Sequence, residues 1–331
     1  MRFRSLRAVL LLLSLGVLLA WSGVARAEIT CTSVSVADLA FGEVNPLGGG
    51  KAAQTTLSYT CSNDNRDPTP NSSAMLCFNV RFWNVYMTGG GSTPLYFNLY
   101  RDPSLTLLWG SQFAGSQYGG PLMVPITLPA GAASVPFRAT LYGLVPEGQR
   151  SVEPGTYWTQ YRSAETGLTV ASVPGDTAPA QCAFLREERF PFLVTATISP
   201  QCVVSAGRAL DFGSVQPDAR DSPGNTSIDV TCTVGTPYDI GLSPSNGDRD
   251  GSGVMSGSRS DNRDKVPYQL RSRPGPRGRP WGNQIGSGNA GNGVSGTGTG
   301  KAEIFAVHAT APEASYAPDS YSDTVTVIVY Y

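Results

Sequence analysis

The chain has 331 residues, 24 basic against 25 acidic side chains and a formal net charge of −1, and its length accommodates two domains of roughly 150 residues. Three lysines (Lys51, Lys265, Lys301) in a near-neutral chain exclude the basic footprint of a nucleic-acid or anionic-lipid binder. A single histidine, His308, and the lack of any CxxC pair argue against a metal centre.

In chain order, Arg2, Arg4 and Arg7 precede an apolar run from Ala8 to Ala20 and then Ala25-Arg26-Ala27, the pattern of a secretory signal peptide cleaved after Ala27. The run is short for a membrane span of about 20 residues. Residues 1–27 are therefore set apart from the fold. Cleavage would remove Arg2, Arg4, Arg7 and Arg26 and no acid, taking the net charge from −1 to −5.

A duplication organises the rest. CTSVSVADLAFGEVNP from Cys31 recurs as CVVSAGRALDFGSVQP from Cys202, and Cys61 recurs as Cys232 at the same offset of 171. Leu39, Phe41-Gly42, Val44 and Pro46 match Leu210, Phe212-Gly213, Val215 and Pro217, while Trp109-Gly110 meets Trp281-Gly282 with one residue of slip. Two homologous domains in tandem follow, at 28–199 and 200–331. Six cysteines allow 15 pairings. The repeat makes Cys31–Cys61 and Cys202–Cys232 the economical choice and leaves Cys77 with Cys182.

Strand chemistry dominates both copies. Runs at Thr55 to Thr60, Phe78 to Val85, Leu95 to Tyr100, Ile304 to Ala309 and Thr324 to Tyr331 are rich in Val, Thr, Tyr and Phe and bounded by turn residues. No helical stripe stands out after the leader, so the expected fold class is all-β, two antiparallel sandwiches. The Gly-rich stretch from Gly282 to Gly300 is placed as a loop inside the second domain. At the C-terminus Val325, Val327, Val329 and Tyr331 alternate onto one face. A sandwich ending there either closes with an earlier strand or leaves a groove for a strand from another chain. In the first domain the apolar segment Phe190 to Ile198 is read as a closing strand supplied in cis, rather than as a plain linker.

Catalysis finds no support. There is no G-x-S-x-G elbow, and Gly300-Lys301 lacks both the leading Gly (Ser295 stands there) and the Ser or Thr (Ala302 stands there) of a phosphate loop. Asp248-Arg249-Asp250 and Asp261 to Asp264 read as solvated charge pairs in preference to a calcium site. No catalytic residue, metal or cofactor is expected.

The second copy carries Cys202, Leu210, Phe212-Gly213, Val215, Pro217, Cys232, Met255-Ser256-Gly257, Tyr268-Gln269-Leu270, Trp281-Gly282 and a terminal Pro318 to Tyr331. This combination resembles the spore coat protein U domain family, which includes subunits of archaic chaperone-usher pili. The resemblance implies an immunoglobulin-like pilin domain left incomplete at 200–331 and completed by a donor strand. Its acceptor face would be Val325, Val327, Val329 and Tyr331. The first copy, 28–199, diverges at its end and carries the extra cysteine pair, which looks like the adhesin domain of a two-domain tip subunit. Only Glu28-Ile29-Thr30 would precede Cys31 after cleavage, so the chain is expected to accept a strand and not to lend one.

The implied partners are a periplasmic pilus chaperone, an outer-membrane usher, an adjacent pilin subunit and an abiotic or host surface. The implied location is the pilus tip at the cell surface, reached through the periplasm, with attachment and biofilm formation as the role. Apolar residues bounded by Gly and Pro are the expected adhesive loops: Tyr118, Pro121, Leu122, Met123 and Val124, then Leu144 and Val145, then Leu168, Val170 and Val173. Packing on their own sandwich is the other reading of each. A glycan-binding tip that stacks sugars on Trp83, Trp109, Tyr118 or Trp158 is one alternative. A non-adhesive coat or envelope protein that polymerises by strand exchange is another.

Overall fold

The computed structural model describes residues 29–64, 71–81, 85–184, 188–286 and 290–331. The expected signal peptide, Glu28 and Trp83 lie outside these residues. Among the described residues no helix is long and apolar enough to cross a membrane.

Twelve strands form the first domain: β1 (Ile29–Val36), β2 (Leu39–Glu43), β3 (Lys51–Asn63), β4 (Ser72–Val80), β5 (Tyr86–Met87), β6 (Leu95–Tyr96), β7 (Asn98–Tyr100), β8 (Leu122–Leu128), β9 (Val135–Val145), β10 (Gly155–Tyr161), β11 (Thr166–Pro174) and β12 (Phe192–Ile198). One layer is the sheet β1-β3-β9-β7, and across the core lie β10-β12-β2 and β11-β4-β8. The strands form where the sequence alternates. Along β3, Leu57, Tyr59 and Cys61 point inward while Thr56 faces solvent, as a half-buried strand requires. In contrast, β4 is buried on both faces, Leu76 and Phe78 toward the core and Cys77 and Asn79 on the other side.

The second domain contains β13 (Cys202–Ala206), β14 (Arg220–Cys232), β15 (Pro237–Pro244), β16 (Ser252–Gly257), β17 (Lys265–Arg271), β18 (Val294–Thr297), β19 (Glu303–Glu313), β20 (Tyr321–Ser322) and β21 (Val325–Tyr330). They make a six-stranded sheet, β13-β14-β19-β17-β16-β20, facing β18-β15-β21. The two domains keep separate apolar cores. The Gly-rich stretch after Gly282 does contain a loop, but its end is the edge strand β18.

The duplication reappears as shared geometry. Cys31 lies directly opposite Cys61, as Cys202 does Cys232, and each pair is a disulfide. Trp109 donates its indole N–H to the carbonyl of Phe78 at 2.8 Å, and Trp281 donates to Ile240 at 2.9 Å. Gly110 and Gly282 accept from the amides of Val80 and Leu242 in the same way. Trp109, one of the sugar-stacking candidates, is thus a core residue, buried against Phe190 and Phe192.

A three-residue connection, Ser199-Pro200-Gln201, joins the domains and is held at both ends. Ser199 Oγ donates to Glu43 at 2.8 Å, and the Gln201 amide donates to Thr233 Oγ1 at 3.1 Å. Beside it the Gly300 backbone, at φ +74, comes so close to the Arg150 carbonyl that a side chain would collide with it.

Candidate functional site

The closing strand β12 shows what the second domain lacks. It lies between β10, antiparallel, and β2, parallel, with Tyr161 opposite Phe192 and Val194 opposite Leu39. Phe192, Val194, Ala196 and Ile198 point into the core, and Phe192 stacks on Tyr161 at 4.7 Å between centroids. Burial pushes the Tyr161 hydroxyl far above the usual phenol range, with the nearby Glu165 adding to the effect. Under this strand Leu39, Phe41 and Val44 are fully covered.

The equivalent positions of the second domain have no such cover among the described residues. Leu168 and Val329 are matched because they pair with Phe78 and Ile240, so β21 is the counterpart of β11. Likewise β20 is the counterpart of β10, since Thr88 bridges to Trp158 where Ser256 pairs with Ser322. Beyond β20 and β21, where β12 would stand, no strand runs. Leu210 and Phe212 are half-buried, and Val215 is 38% exposed where its counterpart Val44 is 2%. Val325, Val327 and Val329 are half-buried and pack on the core of Ile240, Leu242 and Trp281, while Tyr331 is exposed. Together Leu210, Phe212, Val215, Val325, Val327 and Val329 wall an apolar groove along an unpaired strand edge.

Of the four acceptor residues named from the sequence, Val325, Val327 and Val329 line one wall, and Tyr331, past the end of β21 and exposed, does not. Leu210, Phe212 and Val215, which form the other, were not assigned to the site. Their signal was available, because they belong to the repeat and their first-domain counterparts meet a closing strand. At the break between β20 and β21, Asp323 accepts from the hydroxyls of Tyr268, at 2.6 Å, and Ser245. Desolvation first, and Asp323 second, raise the Tyr268 hydroxyl well beyond its ordinary range.

The adhesive loops need correction. Leu122, Met123 and Val124 belong to β8, Leu144 and Val145 end β9, and Leu168, Val170 and Val173 belong to β11. Pro121, Val145, Leu168 and Val170 are buried, and Leu122, Val124, Leu144 and Val173 are half-buried. The glycines and prolines around them mark strand ends, and Leu122, Val124, Val145, Leu168 and Val170 lie on the core-facing half of their strands. Only Tyr118 and Met123 of that set are exposed.

Other apolar groups take their place on the flank of β8. The disulfide Cys77–Cys182 pins a segment across the outer face of β4, and the Gln112 side chain donates to the Ala183 carbonyl at 2.6 Å. The chain neighbours of Gln112 and Ala183, Phe113 and Phe184, are 46% and 85% exposed, and Met123, also exposed, lies opposite Cys77 on β8. Leu107 and Tyr118 are exposed on the adjoining loop.

The structure also places His308 and Asp248. His308 is half-buried on β19, opposite Asn225 and Arg271. Asp248 accepts the amides of Asp250 and Ser252, which makes it a turn-forming carboxylate, and among the described residues no cluster of metal-ligating groups occurs.

No curated protein matches the chain. Several solved structures align with the chain. The chaperone–tip adhesion subunit pre-assembly complex CsuC–CsuE, from archaic chaperone-usher Csu pili of Acinetobacter baumannii, aligns at 17% identity and a TM-score of 0.49, over 91% of this chain and 100% of that one. The CupB6 tip adhesin of Pseudomonas aeruginosa aligns at 10% identity and TM-score 0.30, over 91% and 95% of the two chains. CfaE, the adhesive subunit of CFA/I fimbria of enterotoxigenic Escherichia coli, aligns at 10% and 0.28, over 92% and 87%. The family model of the Spore Coat Protein U domain matches twice, at residues 19–159 and 188–328, and so accounts for both halves of the duplication. The chain belongs to the spore coat protein U domain family.

Proposed function

We propose that this chain is the tip adhesin of a chaperone-usher pilus, with a self-closed adhesive domain mounted on a pilin domain that accepts a strand from a neighbour. One observation carries the reading. The groove that β12 fills in the first domain is open in the second, at the same positions of the same duplicated frame. A strand laid there would pair with the free edge of β20–β21 and cover the apolar walls, which favours binding at about 25 cal/mol per Å² of apolar surface before association costs. A periplasmic chaperone would fill the groove first, and the adjacent pilin subunit would replace it at the usher. No catalysis or cofactor enters this role.

Attachment to abiotic or host surfaces, with biofilm formation as the outcome, is assigned to the exposed apolar flank of Phe113, Tyr118, Met123 and Phe184, which keeps only Tyr118 and Met123 of the adhesive loops first expected. Purification from the periplasm of the native host, with a tag placed after Ala27, tests the assembly. Co-purification of a chaperone and a pilin subunit is expected; a stable chain with no partner would overturn the reading. Attachment is tested separately by Phe113→Ser with Phe184→Ser. Binding to polystyrene should fall at least tenfold while piliation persists, and unchanged binding would remove the flank from the adhesive surface.

A further inference from the structure

The first domain departs from the duplicated frame in three places that meet on one outer face. The first is aromatic. Tyr86 faces Tyr96 across β5 and β6 with ring centroids 6.2 Å apart, and Thr88, two residues along, bridges to Trp158 on β10. Strand alternation places Tyr86 and Thr88 on one face, so Tyr96, Tyr86 and Trp158 form a strip. All three are exposed, at 51%, 42% and 51%. The second domain carries Pro267, Val254 and Ser322 at these positions, matched through the same pairings. The strip is therefore no requirement of the fold.

The second departure is the short helical turn Ser163–Glu165, a three-residue insertion between β10 and β11 with no counterpart between β20 and β21. The third is the segment leading into β12, which brings in Arg189. Its guanidinium donates from Nη1 to the carbonyls of Ser163, at 3.0 Å, and Thr166, at 3.3 Å, which holds it in place. Arg81 follows β4, its amide donating to the Glu165 carbonyl at 2.8 Å, and its counterpart in the second domain is Ser243. Arg81, Ser163, Ala164 and Arg189 line an open cleft of about 460 Å³.

Neither arginine has a carboxylate partner among the described residues. The Glu165 carboxylate is turned to the Arg162 amide at 2.7 Å. Alternation also relates the cleft to the strip. Phe190, Phe192 and Val194 point inward, so Arg189, Leu193 and Thr195 point outward, and Thr195 lies opposite Trp158. Trp158 lies on β10, which ends at Tyr161, two residues before Ser163, so at the strand rise the two are at most about 16 Å apart. Thr156, Gln160, Thr195 and Thr197 supply hydroxyl and amide groups between and beside them.

We propose that this face binds an acidic saccharide, with its carboxylate or phosphate in the Arg81–Arg189 cleft and its sugar rings on Trp158 and Tyr86. Paired guanidinium groups suit a planar or tetrahedral oxyanion. Aromatic faces beside hydroxyl and amide groups suit a pyranose, apolar on its C–H face and polar at its rim. This site is separate from the apolar flank near Phe184 and stands whether or not the chain sits at a pilus tip.

The test is titration calorimetry on the full chain with tetragalacturonate, its methyl ester and inorganic phosphate. Tetragalacturonate should bind, with its methyl ester at least tenfold weaker and its affinity falling as salt rises. Arg81→Gln and Arg189→Gln should each weaken tetragalacturonate at least fivefold and leave the ester unchanged. Trp158→Ala should weaken acid and ester by the same factor. Arg249→Gln, in the second domain, should change nothing. Equal binding of acid and ester, no binding of either, or unchanged affinity in both arginine variants with wild-type thermal melts would overturn the proposal. Inorganic phosphate binding as tightly as the tetramer would also overturn it, since the cleft would then be a bare anion site.

Discussion

The two domains share one frame and differ in how its last gap is closed. In the first, β12 inserts seven residues between β10 and β2 and seals Leu39, Phe41 and Val44. In the second the same gap stays open, and Leu210, Phe212 and Val215 remain partly exposed beside β21. The difference lies in cover and not in the frame, which both domains hold with the same two clamps. These are the cross-strand disulfides Cys31–Cys61 and Cys202–Cys232 and the buried indole hydrogen bonds of Trp109 and Trp281. On the proposed function, the uncovered walls are the surface that an incoming strand would cover.

The sharpest way to break this comparison is a charge in each groove. Val194→Asp places an unpaired carboxylate in a fully buried position and should cost more than about 4 kcal/mol, enough to prevent recovery of a folded first domain. Val327→Asp, on a half-buried position, should leave the chain soluble while abolishing capture of a chaperone or pilin. Equal damage from both, read by periplasmic yield and urea denaturation, would show that the second groove is closed in solution.

Cavity formation is the next largest effect. Phe192→Ala should cost about 3–5 kcal/mol, because the ring is stacked between Trp109 and Tyr161. Val325→Ala, at the position corresponding to Tyr161, should cost about 1 kcal/mol in the free chain and more once a strand is bound. Denaturation with and without a bound partner separates the two.

Disulfides give an internally controlled pair. Cys31–Cys61 and Cys202–Cys232 both close 30 residues, so chain entropy assigns each about 3–4 kcal/mol. Removal by Cys→Ser pairs should nonetheless lower the melting temperature of the second domain further, since it lacks the closing strand. Equal losses would mean that the open groove does not weaken it. Cys77–Cys182 spans 105 residues, and its removal should release Phe184 and lower attachment with it.

The smallest effect is a shift in alkaline titration. Burial pushes Tyr59 up to about 12, and burial, followed by the hydrogen bond to Glu303, does the same for Tyr238. Both are raised above the unfolded value of 10.0, so the stability they contribute is complete below pH 10 and is lost as pH rises through about 12. Glu303→Gln should lower the Tyr238 transition and leave that of Tyr59, as followed by tyrosinate absorbance.

Much of the architecture was legible because duplication turns one sequence into two readings of the same frame. The spacing of Cys31, Cys61, Cys202 and Cys232 pointed to the disulfides, and the apolar run Phe190 to Ile198 pointed to a closing strand. The adhesive residues were misread for a physical reason. Leu122, Val145 and Leu168 are flanked by the Gly and Pro of strand ends, and that signal is the same whether an apolar side chain then turns inward or outward. Phe113 and Phe184 have no local pattern that sets them apart. Their exposure depends on the segment that Cys182 pins across β4.

What the sequence determined by itself is thus what repeats locally: alternation, turn boundaries, the cysteine spacing and the tandem frame. Tertiary structure alone decided which apolar faces are covered, because cover comes from strands remote in the chain. It also decided that Trp158 shares a face with Tyr86, and that Arg81 and Arg189 line one cleft. Such meetings arise from pairing across sheets, and residue order along a strand carries no information about its neighbour until the register is set.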